Sequence, residues 1–258
     1  MPVFQRQILV TLLLLSMSFP AHGQVLRIVS AAWPPYIHEE NGTLRGLDYE
    51  AAETVLRRLG VKTEWQLLPW KRCLLALEQG QADAVLDIFH TAEREATIIF
   101  PREPMSEVEW VMFFDKARPH PFDNLADLRG LKIGTSAGYW YPNAAFREST
   151  AFIREPAASH GANFGKLLRE RVDLVINDHR AGHFLLAKMG LSQRITHYPR
   201  VISRDRLYLG IRRGAGLERL AERFSHVLRH FKREPAYAAL KASYAVKGRH
   251  LHAGPDIR

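Results

Sequence analysis

Arg94 stands between two acids, Glu93 and Glu95, a few residues after an apolar run that contains Asp87. A guanidinium is a planar fork of donors that grips a carboxylate through two parallel hydrogen bonds. Arg94 therefore reads either as a clamp for a carboxylate ligand or as a surface partner of its acidic neighbours. Asp178 follows another apolar run, residues 172–176. It suits an acceptor for a ligand ammonium, or the N-cap of a helix that begins there. Asp87 closes the run Ala-Val-Leu-Asp-Ile and has the same two readings, ammonium acceptor or local cap. Trp33 sits in Ala31-Ala32-Trp33-Pro34-Pro35-Tyr36, where the prolines forbid helix, and Trp70 follows Pro69 at a helix start. Their flat faces suit a ligand's side group, with core packing as the other use.

Other chemistry finds little footing. The chain has twelve histidines, yet His120, His160, His179, His183 and His197 are scattered. His179 and His183, four apart, can share a helix face, but no acid accompanies them, so no metal site and no cofactor are expected. A phosphate-cradling Gly-x-x-x-x-Gly-Lys loop and a Gly-x-Ser-x-Gly nucleophile turn are both missing from the sequence.

The composition is globular, with 47% hydrophobic and 24% charged residues, which excludes a disordered or collagen-like chain. The single Cys73 lies in an apolar helical stretch and reads as a small buried hydrophobe. No internal disulfide can form. Arg6, the apolar run 8–19, Pro20 and the small-residue site Ala21-His22-Gly23 follow one another as in a secretory signal peptide, so residues 1–23 are expected to be a cleaved leader and the mature chain to be periplasmic. The formal charge of +9 is spread along the chain. Its densest part, residues 217–230, reads as a helix with a solvated basic face rather than a nucleic-acid site.

These side chains need a frame, and the periodicity supplies one. Strands are predicted at Leu26–Ser30, Thr63–Leu67 and 84–88, with helices at 48–59 and 69–79 between them, the latter two closed by Gly60 and Gly80. The pattern restarts with strands at 108–114, 130–134 and 172–176. Helices fall at 123–128, 163–171 and 181–189, then comes a strand at 207–211 and terminal helices. Two α/β halves with mostly parallel sheets follow. Such sheets bind ligands beyond the carboxyl ends of their strands, and two halves face to face make a hinged cleft.

Five motifs in order make the resemblance specific. Gly46-Leu47-Asp48-Tyr49-Glu50 matches a "GxDxE" helix start, and Leu77-Glu78-Gln79-Gly80-Gln81-Ala82-Asp83-Ala84 an "LxxGxxDA" turn. Thr91-Ala92-Glu93-Arg94 with Phe100 matches "TxER…F", residues 125–134 match "LxDLkGkkvG", and residues 171–178 match "GrvDaviaD". Over residues 26–244 the chain resembles the family 3 extracellular solute-binding proteins, receptors of polar amino-acid ABC transporters. The resemblance implies a two-lobed type II periplasmic-binding fold, with lobe 1 at residues 24–113 plus 206–258 and lobe 2 at 114–205. It also implies that Arg94 grips a ligand carboxylate, that Asp178 receives its ammonium, and that Trp33 and Trp70 wall the pocket.

One segment departs from the family pattern. Gly138-Tyr139-Trp140 stands where hydroxyl residues usually follow the glycine, and Phe89 replaces a small hydroxyl residue. With Gly138, Tyr139 and Trp140 counted in the site, the expected ligand is a carboxylate-bearing solute with an aromatic or atypical side group. The expected protein is a monomeric, non-catalytic receptor serving a membrane permease. The alternatives are an enzyme on the same scaffold, of the cyclic carboxylate dehydratase kind and using Asp87, Asp178 or His179, or a periplasmic sensor module.

Overall fold

The computed structural model describes residues 25–245, so the leader expected at residues 1–23 lies outside the described residues. The chain starts with β1 (Leu26–Ser30), the hairpin of β2 (His38–Glu40) and β3 (Thr43–Arg45), and α1 (Leu47–Arg58). It continues through β4 (Thr63–Leu67), α2 (Trp70–Glu78), β5 (Ala84–Phe89), the short α3 (Ala92–Glu95) and β6 (Ile98–Ile99). The second half holds β7 (Glu107–Asp115), β8 (Lys132–Ser136), α4 (Ala144–Glu148), β9 (Ile153–Ala157), α5 (His160–Leu168), β10 (Leu174–Asp178) and α6 (His179–Lys188). Strand β11 (Ile195–Arg212) returns to the first half, which α7 (Glu218–Phe231) and α8 (Pro235–Ser243) complete.

The strands run in the order β4-β1-β5-β11-β7-β10-β8-β9. β1 is parallel to β4 and β5, and β8 is parallel to β9 and β10. This is the expected two-lobed α/β architecture. β5 lies in the middle of its sheet with all six residues buried, which is why it reads as an unbroken apolar run apart from Asp87. On one face of that sheet α1 buries Leu47, Ala51, Ala52, Val55 and Leu56 together with Leu220, Phe224 and Leu228 of α7. α1 stops where Gly60 takes φ 73°, letting Val61 N–H donate back to the Leu56 carbonyl at 3.0 Å.

The lobe boundary differs from the sequence expectation. Residues 107–113, assigned to lobe 1, belong to β7, which hydrogen-bonds β10 and the first part of β11 and so lies in the lobe 2 sheet. β11 is shared: residues up to Arg206 pair with β7, and Leu207 onward pairs with β5. The two crossing strands are tied where they pass, Met105 N–H donating to the Leu207 carbonyl at 2.7 Å and Leu207 N–H to the Ser106 carbonyl at 2.9 Å. The first crossing therefore falls near Ser106, not near Phe113. An apolar strand identifies itself in sequence but not the sheet it joins.

Candidate functional site

The carboxyl ends of β1, β5 and β8 deliver their loops to one small cavity of about 20 Å³. The loop after β1 brings Trp33, the start of α2 brings Trp70, and the end of β5 brings Asp87 and Phe89. α3 brings Arg94, and the loop after β8 brings Tyr139 and Trp140 from the opposite lobe. Sequence-predicted residues from both lobes thus meet at one place. Trp33 is the hub of the rings. Its indole lies 5.5 Å from Tyr36, 5.5 Å from Tyr139, 6.1 Å from Phe89 and 6.1 Å from Trp110, and it stacks on His160 at 5.9 Å. Trp33 is 3% exposed, so its wall role and its packing role coincide, and its buried Nε1 has no hydrogen-bond partner. Trp140 is exposed at 39%, with the Arg147 guanidinium 3.9 Å above its ring.

Arg94 is positioned by its own short helix. The Thr91 hydroxyl accepts from the Arg94 backbone N–H at 3.3 Å, and one guanidinium N–H donates to the Phe89 carbonyl at 2.7 Å. The guanidinium lies 5.9 Å from the Trp70 ring centroid. Glu95, one of the acids that could have paired with it, is taken by His90 at 2.5 Å. Among the described residues no carboxylate reaches Arg94 within salt-bridge distance. Burial lowers its pKa while the charges of Glu93 and Asp205 raise it, and a guanidinium stays charged throughout. Arg94 is thus a half-buried cation with one side-chain hydrogen bond to the described residues.

Asp87 reaches the cavity by a bulge. Ile88 pairs with Tyr208 and Val85 with Gly210, so Leu86 and Asp87 together oppose Leu209 alone, and Asp87 takes φ 61°. A bulge re-aims a side chain that the pleat would otherwise fix, and an aspartate tolerates the left-handed region better than a branched residue. Both Asp87 carboxyl oxygens are buried and accept no hydrogen bond from the protein. Burial, and then the charge of Asp48, push the Asp87 carboxyl well above its usual range. Asp48 is also raised by burial, opposed by hydrogen bonds with Asp87 and with Ser106, whose hydroxyl donates at 2.5 Å. Two neighbouring buried carboxyl groups cannot both ionise cheaply, so Asp87 holds its proton.

Residues 26–247 match the bacterial extracellular solute-binding proteins, family 3. The chain belongs to this family. A 69-residue stretch is 32% identical to the probable amino-acid-binding protein YxeM of Bacillus subtilis (strain 168); it spans 26% of this chain and 26% of YxeM, about a quarter of that relative's length. A mutant of ArgBP from T. maritima superposes with a TM-score of 0.74 at 22% identity, over 86% of this chain and 95% of that one. An ancestral arginine-binding protein bound to arginine superposes with a TM-score of 0.73 at 24% identity, over 86% and 99% of the two chains. These structures share the periplasmic-binding-protein fold.

Asp178 is held by three protein donors. Its Oδ1 accepts from the α6 backbone at Ala181 (2.8 Å) and from the Tyr36 hydroxyl (2.8 Å), and its Oδ2 accepts from Glu109 N–H at 3.0 Å. It caps α6 and ties the two lobes together, and it does not line the Arg94 cavity. Burial raises its pKa while these three donors lower it. Gly138 also stays off the cavity wall. It turns the loop at φ 78°, and an added Cβ would sit 3.4 Å from Lys71 Cε across the cleft.

Tyr36→Phe is expected to cost about 1–2 kcal/mol of stability, because buried Asp178 loses a donor without gaining water. Urea denaturation checks this; an unchanged midpoint would remove Tyr36 as an interlobe tie.

The sequence reading did not single out Tyr36 or Asp48. In the sequence Asp48 marks a helix start, and no local signal pairs Tyr36 with Asp178. The "scattered" histidines need a larger correction: His179, His183 and His197 converge, with ligand atoms all within 4.8 Å of one another. Burial draws both His183 and His197 down to about 4, with charge on His179 adding to the effect.

Proposed function

We propose that this chain is a periplasmic receptor that captures an amino acid with an apolar or aromatic side group and presents it to the membrane permease of an ABC-type transporter. The reading rests on one observation: an Arg94 guanidinium without a carboxylate partner lines the same cavity as the buried Asp87. Arg94 clamps the ligand carboxylate. Asp87 receives the ammonium, whose positive charge favours the ionised carboxylate there, its proton passing to solvent. The ammonium site therefore shifts from Asp178, which protein donors occupy, to Asp87 in the same lobe as Arg94. Lobe 2 contributes the faces of Tyr139 and Trp140, so a flat side group touches both lobes and favours the closed form through contacts absent from the open one. The amino-acid-binding names of the relatives support this class of ligand, and the leader pattern of residues 1–23 supports export. The receptor acts as a monomer.

Of the groups an enzyme would use as acid or base, Asp178 is engaged and His179 lies outside the cavity. Asp87 is the one of the three that lines the cavity.

The test is a melting-temperature and tryptophan-fluorescence screen of the purified protein against the proteinogenic amino acids. L-phenylalanine, L-tyrosine and L-tryptophan are expected to raise the melting temperature and change the emission of Trp33 and Trp70. A flat response to every amino acid would overturn the proposal.

A further inference from the structure

We infer that His179, His183 and His197 form a binding site for one divalent transition-metal ion of the zinc type on lobe 2, separate from the solute cavity. His179 and His183 lie one helical turn apart on the same face of α6. β11 supplies the third ring, its register on β7 placing His197 opposite Phe113. The ring centroids are 4.9 Å apart for His179–His183, 4.5 Å for His179–His197 and 4.8 Å for His183–His197. His183 Nε2 and His197 Nδ1 are 2.8 Å apart, and all three ligand atoms lie within 4.8 Å of one another.

Packing alone does not call for this arrangement. A neutral imidazole has one donor and one acceptor nitrogen. One N–H between His183 and His197 satisfies that contact and leaves His179 facing it with no described partner for its converging nitrogen. A cation at the centre satisfies all three lone pairs at once. Tetrahedral zinc with nitrogen ligands at about 2.0–2.1 Å places those nitrogens ~3.4 Å apart, so the close pair opens slightly and the third ring closes in. Side-chain rotation supplies movements of that size.

The surroundings select the class of ion. Phe113 closes the inner side, 5.5 Å from His183 and 5.7 Å from His197. All three histidines are half-buried, so the outer side is open to solvent and a water can complete the shell. The nearby acids are committed, Glu109 to Arg204 at 2.7 Å and Asp178 to its three donors. The donor set is therefore three nitrogens. It suits Zn²⁺, Co²⁺, Ni²⁺ or Cu²⁺, and it excludes the oxygen-seeking Mg²⁺ and Ca²⁺. His226 and His230 make a contrasting pair on α7, with centroids 4.5 Å apart and no third ligand among the described residues.

Calorimetric titration of the full chain with zinc chloride, paired with the visible spectrum under cobalt chloride, tests the site. One ion per chain is expected, with a tetrahedral-type cobalt band, and magnesium chloride should give no heat. His183→Ala and His197→Ala should each weaken zinc binding at least tenfold and abolish the cobalt band. His226→Ala should change neither. His179→Gln, at the solvent-facing start of α6, repeats the test if an alanine variant loses its far-ultraviolet circular dichroism. Zinc affinity and cobalt spectrum unchanged in folded variants would overturn the inference, as would the absence of saturable binding to the parent protein. Solute binding plays no part in either readout.

Discussion

Arg94→Ala is expected to weaken binding of an amino acid by at least about 100-fold, equivalent to about 2.7 kcal/mol, with the fold left intact. The size follows from what alanine removes. A bidentate, charge-assisted clamp is among the strongest polar contacts available, and the proposed one lies beside the Trp70 ring in a half-buried setting. The fold survives because Arg94 makes one side-chain hydrogen bond to the protein, to the Phe89 carbonyl. Arg94→Lys keeps the charge and loses the fork, so its affinity should fall between the two. Calorimetry with whichever amino acid raises the melting temperature of the parent protein measures all three. Parent-like affinity in Arg94→Ala would remove the clamp from the site.

Asp87→Asn is expected to stabilise the protein at pH 7 by on the order of 2 kcal/mol while impairing ligand capture. The carboxyl of Asp87 is raised in the folded state above its ordinary value of 3.8. A raised acid favours the folded state fully only below that ordinary value. As the pH climbs past it, the unfolded chain releases its proton while the folded chain retains it, and stability falls until the folded carboxyl ionises too. Asparagine does not titrate, and its amide N–H can still donate to Asp48. The advantage of the variant should therefore vanish near pH 3.5 and widen towards neutrality. Urea denaturation at several pH values checks the slope; a gap independent of pH would show that the Asp48–Asp87 contact is not what shapes it. The matching loss of affinity for an ammonium-bearing ligand would make Asp87 a case of stability given up at a binding site.

The elements of the fold were legible wherever periodicity and punctuation agree. β1, β4, β5, α1 and α2 are legible closely, because extended apolar runs and the terminal glycines Gly60 and Gly80 mark their limits. The first two-thirds of β11 is not. Residues 195–206 are rich in arginine and polar groups and mostly half-exposed, with Ile195, Val201 and Ile202 too dispersed to mark a strand; the long partner β7 holds them. β9 hides for a similar reason, as an edge strand carrying Arg154, Glu155 and Pro156.

At the site, residue types carried the reading only part of the way. Arg94, Trp33, Trp70, Asp87, Tyr139 and Trp140 share the cavity as the loop positions suggested. Asp178 took the humbler of its two readings, because its carboxylate lies in line with the first turn of α6. The bulge that turns Asp87 inward leaves no trace in a sequence that shows no glycine there. The convergence of His197 on α6 depends on strand register, which spacing along the chain does not encode.

The passage of β11 from one sheet into the other also sets an order of assembly. Residues 107–206 are contiguous, so the second lobe can gather its strands as soon as they emerge. The first lobe stays unfinished until Leu207 arrives beside Phe89, with α7 and α8 behind it. A later part of the chain is the keystone of an earlier sheet. Truncation within the final helices is thus expected to unravel the amino-terminal half and spare the middle of the protein.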